Sequence, residues 1–97
     1  MTDAELRGLL LDCLTLWEVE GHLAPGAEGW EIETAEGMFS LAHADPALRP
    51  ARWCLQTPER RAAGRPVRMA PSIAAALSAL RNTLGAARGA KLRIGGG

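Results

Sequence analysis

Residues 30–43 read WEIETAEGMFSLAH, and the two halves of this stretch alternate about a central turn. Trp30, Ile32 and Thr34 interleave with Glu31 and Glu33, the two-residue period of a strand with one wet face. Glu36-Gly37 has the composition of a hairpin turn. Met38–His43 then returns with Phe39 and Leu41 on one side and Ser40 and Ala42 on the other. The stretch therefore reads as an antiparallel hairpin, and its apolar face needs a cover.

Working toward the C-terminus, ADPALRP (44–50) interrupts the alternation twice with proline, which cannot donate to a central ladder. Arg52–Thr57 alternates again, with Trp53 and Leu55 facing in and Arg52 and Gln56 facing out. The basic loop TPERRAAGRPVRMAPS (57–72) follows, with an optional short strand at Val67–Met69. Behind it Ile73, Leu77, Leu80 and Leu84 form a narrow helical stripe flanked by Ala74, Ala75, Ala76 and Ala79. Small flanking residues let that helix lie flat on strands. Pro71 suits its first turn, Ser72 its cap and Gly85 its stop.

Working toward the N-terminus, LAPGAEG (23–29) is a turn-rich connector. Before it Leu6, Leu9, Leu10, Cys13, Leu14 and Trp17 recur on one helical face. Thr2-Asp3-Ala4-Glu5 supplies a capping box and Gly21 a stop. Leu11 and Val19 fall off the stripe, so this helix is expected to touch something on a second side.

The expected fold is α+β: an N-terminal helix, an antiparallel sheet of three to four strands, and a second helix on the same face. The order is α-β-β-β-α, with Ala90–Ile94 either an optional C-terminal edge strand or part of a loose tail. Residues 1–85 read as one domain and 86–97 as that tail. Trp17, Phe39, Trp53, Leu55, Leu77 and Leu80 are the expected core.

An apolar share of 47% suits a chain that buries a core and is too high for a disordered one. No apolar run approaches the ~18 residues of a spanning helix, and the acidic start lacks the features of a secretory signal. The expectation is a cytoplasmic protein without membrane contact. Cys13 and Cys54 show no CxxC spacing and read as reduced, buried thiols. With His22 and His43 they lack the short spacing of a metal site, so no metal or other cofactor is expected. GAARGAK (85–91) has the wrong spacing for a phosphate loop and follows a helix where that motif needs a strand.

The net charge of zero conceals a division. Residues 1–48 hold ten acids against Arg7 alone, a net −9, and residues 49–97 hold ten bases against Glu59 alone, a net +9. Such asymmetry marks an interaction surface. Arg60, Arg61, Arg65 and Arg68 are the candidate anion- or partner-binding residues, because guanidinium forks match phosphate and carboxylate. The competing reading is a solvated loop paired loosely with Glu31, Glu33 and Glu36, each pair contributing about 0–1 kcal/mol. Trp30 joins the candidates: exposed it would anchor a partner, covered it would seal the end of the sheet.

No nucleophile–base pair or carboxylate pair is evident, so no enzyme is expected. The leading expectation is a small interaction domain that docks a protein partner, or forms a homo-oligomer, through oppositely charged surfaces. The alternative is nucleic-acid or phosphate binding through loop 57–72. In the order of its elements the chain resembles the double-stranded-RNA-binding domain, with GRPVRMAPSIAAALSAL where that family opens its second helix with a basic cluster. It departs from that pattern in lacking the paired lysines and in placing Pro71 at the helix start.

Overall fold

A computed structural model describes residues 1–96, with side chains through residue 85. Helix α1 (Asp3–Leu16) is followed by strands β1 (Gly21–Pro25), β2 (Gly29–Thr34) and β3 (Gly37–His43). A 3₁₀ turn (Pro46–Leu48) leads to β4 (Trp53–Gln56), a short helix α2 (Pro58–Ala62), β5 (Arg68–Ala70) and helix α3 (Ile73–Gly96). The strands form one antiparallel meander in the order β1-β2-β3-β4-β5. The class is α+β as expected, with five strands in place of three to four.

Register explains where the core lies. Cross-strand partners point the same way, and Ile32 pairs with Phe39, Leu41 with Leu55, and Trp53 with Ala70. One face of the sheet is therefore continuous apolar surface. α1 covers β1 and β2, and α3 covers β4 and β5. Leu6, Leu10 and Leu14 descend from α1, and Ala76, Ala79, Leu80 and Leu84 from α3, into the same buried cluster. Of the expected core, Phe39, Trp53, Leu55 and Leu80 are buried, whereas Trp17 and Leu77 are half-buried against it.

The capping box is formed: Glu5 N–H donates to Thr2 Oγ1 at 3.1 Å and Thr2 N–H to Glu5 Oε1 at 3.0 Å. α1 ends earlier than Gly21, capped at Trp17 and turned by Glu18 in the left-handed region at φ 57°. Gly21 instead opens β1, whose Leu23 pairs with Ile32. The connector expected at 23–29 is thus half strand. The off-stripe residues Leu11 and Val19 border a shallow groove with Gly21 and His22, so the second side of α1 meets β1.

Two further corrections concern the C-terminal half. Loop 57–72 contains α2, because Thr57 accepts the Arg60 amide as an N-cap and Pro58 occupies the first turn. Gly64 at φ 67° then reverses the chain. Gly85 does not stop α3. The helix runs on to Gly96 through a stretch in which alanine, arginine, lysine and leucine, all good helix formers, outnumber glycine, so residues 90–94 form no edge strand. The tail expected at 86–97 is helical as far as Gly96, and Gly97 lies outside the described residues.

Candidate functional site

The meander turns sequence order into spatial order. Each strand neighbours the next, so the acidic half of the chain supplies α1, β1 and β2 on one side. The basic half supplies β4, α2, β5 and the start of α3 on the other. Asp3, Glu5 and Asp12 ride on α1, and Glu31 and Glu33 on β2. Arg60 and Arg61 ride on α2, Arg68 on β5, and Arg65 in the turn between them. β3 marks the boundary.

Neutralisation across that boundary is not built in. Among the described residues no ion pair links Glu31, Glu33 or Glu36 to any of the four arginines. Here side chains of the C-terminal half meet the backbone at the start of β3. Gly37, at φ 121°, leaves room for Pro58, whose Cγ would lie 2.7 Å from a Cβ at that position. Arg61 Nη1 donates to the Met38 carbonyl at 3.4 Å, which ties α2 to the start of β3.

The four arginines differ in their surroundings. Arg60 Nη1 donates to the Pro66 carbonyl at 3.2 Å and closes the loop on itself. Arg61 is engaged with Met38 as above. Arg65 and Arg68 are exposed, Arg65 in the turn before β5 and Arg68 at its start. In loop 57–72, Arg60 and Arg61 are thus each engaged by a backbone carbonyl, whereas Arg65 and Arg68 are exposed.

Trp30 is half-buried and packs against the core. Its indole Nε1–H donates to the Asp3 carbonyl at 2.9 Å, which pins the first turn of α1 to β2. The ring closes the junction between sheet and helix, with its polar atom satisfied.

Cys13 and Cys54 are free thiols, each partly exposed. Desolvation pushes both above the usual thiol range, and Asp12 adds to the shift at Cys13. Cys54 Sγ–H lies 3.5 Å from Met69 Sδ on the open face of the sheet. Neither thiol has the electropositive surroundings of a nucleophile. Among the described residues no group of three or more His, Cys, Asp or Glu is placed to hold a metal ion. Among them, too, no helix is long and apolar enough to cross a membrane.

Sequence reasoning missed one grouping. His43, Arg49, Arg52, Trp53 and Ser72 line a common cleft at the end of the sheet remote from α2. No local motif announces it, because the meander brings three separate segments together there. Comparison with protein-family models, curated proteins and solved structures finds no match to this chain.

Proposed function

We propose that this domain is a non-enzymatic docking module that binds a protein partner, or a second copy of itself, through its oppositely charged sides. The observation that carries the reading is the sequential strand order, which sets the acidic α1, β1 and β2 beside a basic side bearing Arg49, Arg52, Arg60, Arg61, Arg65, Arg68 and Arg81, without arginine–glutamate pairing to the hairpin among the described residues. Unpaired fields of opposite sign steer association and set its orientation. Leu11 and Val19 border β1 and so serve the domain's own packing.

The arginine geometry favours this reading over nucleic-acid binding. Arg60 and Arg61 are occupied by backbone carbonyls, and a polyanion would also meet the acidic side of the same small body. Fluorescence anisotropy with short RNA and DNA at low salt tests that alternative directly.

Sedimentation velocity at low and high salt tests the docking reading. Screening shortens from ~10 Å at 0.1 M to ~3 Å at 1 M, so self-association is expected at low salt only. Arg65→Glu/Arg68→Glu is expected to abolish it, as both side chains are exposed and outside the core. A monomer at every concentration and ionic strength removes self-association. Cross-linked partners that are identical for the wild type and this variant remove the charge-based reading altogether.

A further inference from the structure

The cleft at the end of the sheet remote from α2 has a volume of about 500 Å³, within the usual range for small-molecule sites. Trp53 and His43 form one wall, with ring centroids 4.4 Å apart and planes inclined by 30°. Asp3 Oδ1 lies 3.9 Å from His43 Nε2. Arg49 and Arg52 enter from the loop joining β3 to β4, and Pro71, Ser72 and Ile73 from the start of α3.

The two guanidiniums differ from those of Arg60 and Arg61. Among the described residues neither Arg49 nor Arg52 has an ion pair or a side-chain hydrogen bond to protein. Two free forks therefore border a concave space that also offers apolar surface from Ala44, Pro46 and Ile73. A single fork satisfies the two oxygens of a carboxylate, whereas two forks match the three free oxygens of a phosphate monoester. The volume leaves room for an organic body beside the phosphate. Asp3 and Asp45 flank the cleft, and Asp45 Oδ1 is already engaged by the Ala47 amide. Their charge disfavours a long polyanion lying across the opening.

We propose that this cleft binds a small phosphate ester. Arg49 and Arg52 hold the phosphate, and the wall of His43 and Trp53 together with Ile73 contacts the organic part. The site lies away from α2 and does not depend on the docking reading.

The test is an amide NMR titration of the full chain with adenosine 5′-monophosphate and with glucose 6-phosphate. Adenosine, glucose and inorganic phosphate are the controls. At least one ester is expected to give saturable shifts at Ala51, Arg52 and Ser72–Ala74. Its dissociation constant is expected to rise at least tenfold in Arg49→Ala/Arg52→Ala and to stay unchanged in Arg81→Ala, an exposed arginine of α3 outside the cleft. Should the first variant unfold, Arg49→Lys/Arg52→Lys keeps the charge but loses the forks, and an intermediate loss is expected. No saturation by either ester at about 10 mM overturns the proposal. So do equal binding of the uncharged controls, a response to inorganic phosphate as strong as to the esters, or shifts centred on residues 60–68.

Discussion

Replacing Gly29 by alanine adds one methyl group, and the structure gives that methyl nowhere to go. Gly29 is buried on β2 opposite Ala42 of β3. A Cβ there would press on the Leu41 carbonyl oxygen, lie 2.7 Å from Ala42 Cα and 3.0 Å from the Leu41 carbonyl carbon. All three are backbone atoms of a paired strand, so no rotamer change relieves the clash and the β2–β3 ladder must open locally. Overpacking a core typically costs about 1–3 kcal/mol. A clash with backbone belongs at the upper end, about 3 kcal/mol. At ~4–8 °C per kcal/mol for a domain of this size, Tm should fall by about 12 °C or more.

Gly8→Ala is the matched control. It adds the same methyl inside α1 with nothing within 4 Å, and alanine in a helix interior is better than glycine by roughly 0.5–1 kcal/mol. The same chemical change should therefore carry opposite signs at the two positions. Urea and thermal unfolding followed by circular dichroism measure both. A Gly29→Ala protein within about 0.5 kcal/mol of wild type would refute the Gly29–Ala42 register, and with it the route by which β3 reaches the cleft. A Gly8→Ala protein that loses stability would show that the exposed face of α1 is packed.

Trp30→Phe keeps most of the ring but removes the donor to the Asp3 carbonyl, and should cost about 1 kcal/mol in urea unfolding. Thr2→Ala removes the side-chain half of the capping box and should cost α1 about 1 kcal/mol, read from the same assay. The Thr2 amide holds the Glu5 carboxyl below its usual 4.5. That contribution is present above pH 4.5 and lost as pH falls through the lowered folded-state value, so Glu5→Gln should flatten the acid limb of a stability–pH profile. Burial raises both thiols above 9.0, so alkylation at pH 8 should be slower in the folded protein than in urea. The linked stability is present below pH 9.0 and lost as pH rises through the folded-state values.

Hydrophobic period carried most of the architecture. The hairpin at 30–43, the stripe from Leu6 to Trp17 and the stripe from Ile73 to Leu84 all occupy the faces that their spacing implies. β1 escaped notice because Gly21, Pro25 and Gly26 resemble punctuation, and its single inward residue, Leu23, is only half-buried. The signal for α2 was present in Thr57-Pro58-Glu59, a cap followed by proline, but five residues are too short for periodicity to register. The glycine stop at 85 failed because each glycine costs a helix only about 1 kcal/mol, and Ala86, Ala87 and Arg88 follow Gly85 as good formers before the next glycine.

The site was less legible than the fold. A count of arginines cannot reveal that Arg61 reaches back 23 residues to a carbonyl, or that Arg60 folds onto its own loop. Nor could His43, Arg49, Arg52 and Ser72 be grouped without knowing that β3, β4 and β5 lie side by side. Polar side-chain partnerships depend on tertiary placement, which leaves no period in the sequence.

Because every strand pairs with the one before it, the sheet can zip outward from the β2–β3 hairpin, closing one modest loop at a time. The entropy of such closures grows slowly, by only about 0.6 kcal/mol for each doubling of length. Segments 44–52 and 57–67, which bear Arg49, Arg52 and Arg65, can therefore lengthen or shorten while the ladder beneath them stays intact. Binding surface and scaffold are free to change at different rates.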